Sequence, residues 1–355
     1  MTLTDPSIQV RPGEELDAAV IDGYLKTHLP HLVGQPTISQ FPGGASNLTY
    51  LVSYPTQELV LRRPPFGQKA KSAHDMGREY RILSRLNSGF PYCPKAYVHC
   101  TDESLIGSEF YVMERVKGII LRSDIPAQLG FDSQRTNALC KSFIDRLVEL
   151  HRIDYQACGL GELGKPEGYV RRQVEGWSAR YEKALTPDAP RWQGVIDWLR
   201  EKMPADHPRS GIVHNDYRFD NVILDAENPM RIIGVLDWEM ATLGDPLMDL
   251  GNSLAYWIEA DDPAPVQLMR RQPSNAPGML SRREFADYYA ERAGITIDNL
   301  DFYYCHGLFR LAVIVQQIYY RYFHGQTQDK RFAQFIHMNR LLEHMTLQVI
   351  DKSSL

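Results

Sequence analysis

The sequence predicts an α+β chain, a small lobe built on an antiparallel sheet followed by a larger, mainly helical lobe. Three observations carry that prediction. Between Thr37 and Met113 apolar residues alternate in short runs broken by Gly, Pro and Asn; after Gly118 the helical period takes over; and inside the helical part three β-branched runs surround a polar loop between Ile212 and Leu236.

In chain order, Leu16 to Leu29 carries Val20, Ile21, Tyr24 and Leu25 at helical spacing and reads as a leading amphipathic helix. Thr37-Phe41, Leu48-Val52 and Glu58-Arg62 then read as consecutive antiparallel strands. A glycine-bearing hairpin tip, Gly43-Gly44-Ala45-Ser46-Asn47, joins the first two, and a tight turn at Tyr54-Gln57 joins the next. After the Pro64-Pro65 break, Ser72-Ala73-His74-Asp75 resembles a capping box opening a helix to about Asn87. Glu79, Leu83 and Leu86 share one face of that helix, so Glu79 points inward and needs a cationic partner. Two more strands are expected at Lys95-His99 and Glu109-Met113.

The composition changes across Met113-Gly118, which places a lobe boundary after Val116: residues 1–116 form the first lobe and 117–355 the second. Beyond it, helices are expected at Ser133-Arg152, Tyr169-Leu185, Trp192-Met203, Asp245-Trp257, Arg282-Ala293, Leu300-Tyr322 and Arg331-Ile350. The first of these carries Leu139, Phe143, Leu147 and Leu150 on one stripe.

Composition narrows the function classes. At 355 residues, 43% of them hydrophobic, the chain can bury one large or two medium cores. No apolar run reaches the roughly 18 residues that a membrane span needs. The N-terminus lacks the basic start and apolar middle of a secretion signal. Five scattered cysteines without a C-x-x-C pair fit buried thiols, and a cytoplasmic location is expected. A net charge of −5 without a lysine and arginine block argues against a nucleic-acid partner.

The chemistry concentrates in the polar loop. If the flanking runs pair as strands, Asp216, Asn221 and Asp237 come to the same edge of a small sheet. Two carboxylates and an amide oxygen suit phosphoryl transfer: one carboxylate orients the attacking hydroxyl, and the other two groups are hard oxygen ligands for magnesium.

His214-Asn215-Asp216-x-x-x-x-Asn221, then Leu236-Asp237-Trp238-Glu239, then Gly244-Asp245-Pro246-x-x-Asp249-Leu250 resemble the catalytic core of the aminoglycoside phosphotransferase family. Within it, the likeness is to the kinase-like domains fused to some acyl-CoA dehydrogenases. It extends from about Thr37 to about Trp257. The resemblance implies a bilobal protein-kinase-like fold and an ATP- and Mg2+-dependent transfer to a small-molecule hydroxyl. It makes Asp216 the catalytic carboxylate and Asn221 and Asp237 the magnesium ligands. Arg62 would contact the α- and β-phosphates, where protein kinases use lysine, with Glu79 as its ion-pair partner. Ser46 and Asn47 on the hairpin tip would cover the phosphates. Met113-Glu114-Arg115-Val116 looks like the hinge, whose Glu114 carbonyl and Val116 amide would pair with adenine. His214 reads as a brace of the loop, Asp249 as an acid bracing it from the following helix, and Asp245 as that helix's cap.

Aminoglycoside-binding members tend to carry a strongly acidic pocket, and here only Glu259-Ala260-Asp261-Asp262 fits that habit, so antibiotic resistance is not supported. The likeness to dehydrogenase-fused domains favours a hydroxy acid or hydroxyacyl compound as acceptor. Two other readings stand beside the kinase: a non-catalytic nucleotide-binding regulatory module, and a metal-dependent hydrolase built on His214, Asp216 and Asp220. The first is disfavoured by the intact trio, the second by the lack of another histidine at ligand spacing.

Overall fold

The structure, a computed structural model, describes residues 4–42, 47–65 and 75–355. Its elements in order are α1 (Ala18–His28), β1 (Thr37–Gln40), β2 (Leu48–Ser53), β3 (Glu58–Arg63), α2 (Met76–Leu86), β4 (Ala96–Cys100) and β5 (Phe110–Glu114). There follow α3 (Ser133–His151), α4 (Tyr169–Lys183), α5 (Gln193–Glu201), β6 (Gly211–Val213), β7 (Val222–Leu224), β8 (Ile232–Val235) and β9 (Thr242–Gly244). The chain closes with α6 (Pro246–Ala255), α7 (Ala264–Gln267), α8 (Arg282–Ala293), α9 (Leu300–Phe323) and α10 (Phe335–Lys352).

These elements divide into two compact units. One takes Met1–Ile120, Asp154–Leu160 and Asn221–Glu239; the other takes Leu121–Ile153, Gly161–Asp220 and Met240–Leu355. The first unit thus gathers its residues from three stretches of the chain.

In the first unit, five strands pair antiparallel in the order β1-β2-β3-β5-β4. Ile21 and Leu25 of α1 pack with Tyr50, Val52, Leu59, Leu61, Phe110 and Val112 from one face of the sheet. Alternation along β3 sends Arg62 and Arg63 to opposite faces. Arg63 is buried and donates to the Ile106 carbonyl at 2.8 Å, while Arg62 faces α2. Helix α2 is capped by Asp75, whose carboxylate accepts from the Arg78 amide. The expected box residues Ser72 to His74 lie outside the described residues.

The connection that leaves β5 is tied to the β7–β8 hairpin. Ile119 exchanges two backbone hydrogen bonds of 2.8 Å with Leu224, and Val116 packs over Gly234. Gly118 lies so close to the Leu224 carbonyl that a Cβ would collide with it. Those contacts place Asn221–Glu239 in the first unit although its sequence neighbours belong to the second.

One expectation is corrected here. The runs on either side of the polar loop do not pair with each other: β6 pairs with β9, and β7 with β8, as two separate two-stranded ladders. Three-residue strands carry too little pattern to fix a partner. Strand β9, Thr242-Leu243-Gly244, was not foreseen for the same reason.

The second unit is a helical body around α9, whose Phe302, Cys305, Leu308, Phe309, Ala312 and Val313 are fully buried. Helices α6 and α9 approach through glycines, since a Cβ on Gly251 would run into the Tyr303 carbonyl and one on Gly307 into the Gly251 carbonyl. Gly251→Ala should therefore cost about 1–3 kcal/mol through enforced separation of the helices. Thermal melts of the variant would show it, and an unchanged midpoint would mean the two helices part at no cost.

Asp245 caps α6 by accepting from the Leu247 amide, and Ser281 and Glu284 form a reciprocal capping box on α8. Four of the cysteines are buried, Cys158 is partly exposed, and all are free thiols. Among the described residues no helix is long and apolar enough to cross a membrane.

Candidate active site

In the first unit Glu79, Asp237 and Glu239 converge on one guanidinium. Arg62, near the end of β3, is 8% exposed and donates from Nη1 to Glu79 Oε1 at 2.6 Å and from Nη2 to Asp237 Oδ1 at 3.3 Å. Glu239 Oε2 lies 3.8 Å from the same Nη2 and accepts from Asn47 Nδ2 at 2.9 Å. Glu79 reaches this point because the helical period that buries Leu83 and Leu86 also turns its carboxylate inward. Burial opposes the charge on Arg62, but Glu79, Tyr111, Asp237 and Glu239 outweigh it and hold its pKa well above the ordinary value. Burial raises Glu79, assisted by Asp237 and resisted by Arg62.

Asn221 and Asp237 are brought side by side by the β7–β8 hairpin. Val222 pairs with Val235, and the Leu236 amide donates to the Asn221 carbonyl at 2.8 Å. Asp237 follows with φ 67°, the left-handed conformation that a short acidic side chain tolerates. Three carboxylates against one guanidinium leave negative charge over, and Asn221 and Asp237 add hard oxygens; this donor set fits a magnesium ion. Among the described residues, no three His, Cys, Asp or Glu side chains are grouped to hold a metal by themselves. Mg2+ is commonly held through one or two side-chain oxygens together with phosphates.

Glu114 ends β5 and is exposed, with its amide donating to the Lys95 carbonyl at 2.8 Å. Val116 lies on the connection over Gly234. Ser46 falls outside the described residues.

Asp216 belongs to the second unit, on the loop that follows β6. The backbone of that loop is held by Asp249, a fully buried carboxylate in the first turn of α6. It accepts from the His214 amide at 2.6 Å and the Asn215 amide at 2.7 Å, and from His151 Nε2 at 3.1 Å. Burial would raise Asp249, yet the His151 hydrogen bond and the charges of His151 and His214 hold it below its ordinary value. Asn215 has φ 64°, and its side chain fixes that conformation by donating to the Met240 carbonyl while accepting from Asn252 and Tyr169. His214 Nδ1 accepts from the Asp216 amide at 3.2 Å, so this histidine braces the loop.

From Asp216 onward the loop alternates. Tyr217 and Phe219 turn inward against Phe143, and Phe219 is also tied through its amide to Gln272. The polar residues between them form a chain: Arg218 donates to Asp216 Oδ2 at 3.2 Å, pairs with Asp220 at 3.2 Å, and lies 4.6 Å over the Tyr256 ring. Burial raises the Asp220 carboxylate, with Asp216 adding to the effect against Arg218. The loop therefore presents a carboxylate on a backbone that cannot readily shift. Such a group can accept the hydrogen bond of a hydroxyl and align it.

Residues 37–285 match the family model described as the phosphotransferase enzyme family. The chain belongs to the phosphotransferase enzyme family. The matched stretch contains Arg62, Glu79, Asp216, Asn221, Asp237 and Asp249. The chain is 36% identical over 324 residues to acyl-CoA dehydrogenase family member 10 of Mus musculus, covering 90% of itself and 30% of that protein. It thus spans less than a third of this curated relative. A solved Ralstonia eutropha structure, provisionally named an aminoglycoside phosphotransferase, shares 30% identity at a TM-score of 0.82, over 96% of this chain and all of that one. Spectinomycin phosphotransferase, solved with ADP and spectinomycin, shares the fold at a TM-score of 0.59 and 13% identity, over 96% of this chain and 99% of that one. The bilobal α+β, kinase-like fold of these phosphotransferases is the fold of this chain.

Some residues of this member of the family escaped the sequence reading. Glu239 stood in the quoted motif without an assignment, though an acid so close to Asp237 on one short turn was a usable signal. His151 and Asn252 act through partners far away in sequence, and neither carries a local cue.

Proposed function

We propose that this chain transfers the γ-phosphoryl group of ATP, with Mg2+, to the hydroxyl of a small molecule, of which a hydroxy acid or hydroxyacyl compound is the leading class. The observation that carries this reading is the Arg62 guanidinium shared between Glu79 and Asp237. It joins a cation suited to phosphate, the acid that positions it and a carboxylate suited to magnesium in a chain of phosphotransferase family. In this reading Asn47 and Ser46 cover the phosphates, and the Glu114 carbonyl and Val116 amide hold the adenine edge. Asn221 and Asp237 would hold Mg2+, which when bound neutralises phosphate charge. Asp216 accepts the hydrogen bond of the acceptor hydroxyl. A bond forms from that oxygen to the γ-phosphorus, the bond to the β–γ bridging oxygen breaks, and ADP departs with the electron pair. The hydroxyl proton passes to Asp216 as the oxygen loses it. The acceptor is thus a free small molecule, and neither nucleic acid nor membrane enters the reaction.

A nucleotide-depletion screen over hydroxylated acids, acyl-CoA derivatives, alcohols and aminoglycosides tests this. Magnesium-dependent ADP formation that requires one class of hydroxyl compound is expected. ATP consumption that no hydroxyl compound stimulates would instead favour a regulatory module.

A further inference from the structure

Arg310 lies midway along α9, outside the residues that match the family model, and is 3% exposed. A guanidinium stays charged at any pH at which proteins fold, so burying it without an anion is unfavourable. Among the described residues Arg310 nevertheless has no ion-pair or hydrogen-bond partner. Its guanidinium lies over the ring of Trp177 on α4, 5.3 Å from the centroid. A π face attracts a cation but leaves its N–H donors unused.

The surroundings are those of a prepared site. One turn earlier on α9, His306 is 1% exposed, and neither of its ring nitrogens is hydrogen-bonded. Burial, with the charge of Arg310, drives its pKa down to about 3, so it is a neutral ring. Tyr256, closing α6, is within electrostatic reach of Arg310 and also of Asp216, and Tyr169 feels Arg310 as well. Gly307, three residues before Arg310 on α9, packs against Ala255, the neighbour of Tyr256, and the Tyr256 ring lies under Arg218, which holds Asp216. Arg218, the other cation there, is already balanced by Asp216 and Asp220. The glycine contact between α6 and α9 fixes the helix that carries Arg310.

We propose that Arg310 anchors an oxyanion on the acceptor, a carboxylate or a phosphate, while the acceptor's hydroxyl faces Asp216. This rests on the phosphotransferase reading of Asp216. A planar guanidinium offers two parallel N–H donors to either oxyanion and repels ammonium-bearing acceptors such as aminoglycosides or choline.

The test uses the full chain with ATP and magnesium and compares 3- and 4-hydroxybutyrate, glycerol phosphate, neutral 1,3-butanediol and cationic choline. The expected kcat/KM for an anionic acceptor is at least about tenfold above that for the diol, the size of a charge-assisted hydrogen bond. The hydroxybutyrates and glycerol phosphate show which oxyanion is preferred. Arg310→Gln should bring the anionic-to-neutral ratio close to one, and Arg310→Lys should keep part of it. If Arg310→Gln does not fold, the wild-type ranking and the lysine variant still decide. A preference for the diol or choline, or a ratio unmoved by the lysine and glutamine variants, overturns the anchor and leaves the phosphotransferase reading standing. Calorimetric binding of hydroxybutyrate that Arg310→Gln abolishes, in a chain that phosphorylates none of the acceptors, upholds the oxyanion site and overturns that reading.

Discussion

Asp216→Asn lowers turnover by about two to four orders of magnitude, the range in which a positioned acid or base acts. It leaves ATP affinity within about a factor of two, because it touches none of the proposed nucleotide contacts. The substitution keeps the shape of the side chain and removes its charge. The loop should hold, since its backbone is tied through His214, Asn215, Tyr217 and Phe219 to partners that the change does not reach. Arg218 keeps Asp220 at 3.2 Å, so the variant should melt close to the parent. The loss would appear in kcat rather than KM. Turnover within tenfold of the parent, or a parallel loss of ATP binding, would remove Asp216 from the role given to it.

Asp249→Ala has the largest expected effect on stability. The carboxylate satisfies two backbone amides and a histidine at a fully buried position. Removing it orphans those donors together, and breaking a buried pair of this kind costs about 3–5 kcal/mol. A sharp fall in melting temperature should accompany loss of turnover, because Asp216 follows the two amides directly. Acid titration gives a second handle. Asp249 sits below its ordinary value of 3.8 in the folded chain, so its contribution is complete above that value and fades as the pH falls through the folded pKa. Melts of the parent carried from neutral pH to below the ordinary value should lose that stability, and those of Asp249→Asn should lack this part of the slope. A parent and variant with equal acid slopes would show that Asp249 is not the group responsible.

The order of the elements was legible because periodicity survives in any run longer than about five residues. Glu79 was legible for the same reason: a helical face with two leucines and one acid forces the acid inward. Arg62 followed from strand alternation. What stayed hidden were the pairings of β6 and β7 and the partners that reach across long separations. His151 meets Asp249, and Asn47 meets Glu239, with nothing in either neighbourhood to announce it. The alternation in Asp216-Tyr217-Arg218-Phe219-Asp220 was visible and went unused; it sorts the loop into anchoring aromatics and presented charges. Arg310 was visible too, as a charge in an apolar helix, but only its missing counter-ion separates it from ordinary core.

The ties between Ile119 and Leu224 also bear on how the molecule is made. The ribosome delivers the five-stranded sheet early, but the β7–β8 hairpin that completes this unit emerges only after most of the residues from Leu121 to Asp220. Until then the connection after β5 has no hairpin to bind, and Asp237 is not yet beside Arg62. Sequence separation of that length slows the last step of folding. The first unit is thus begun long before the strands that complete it arrive.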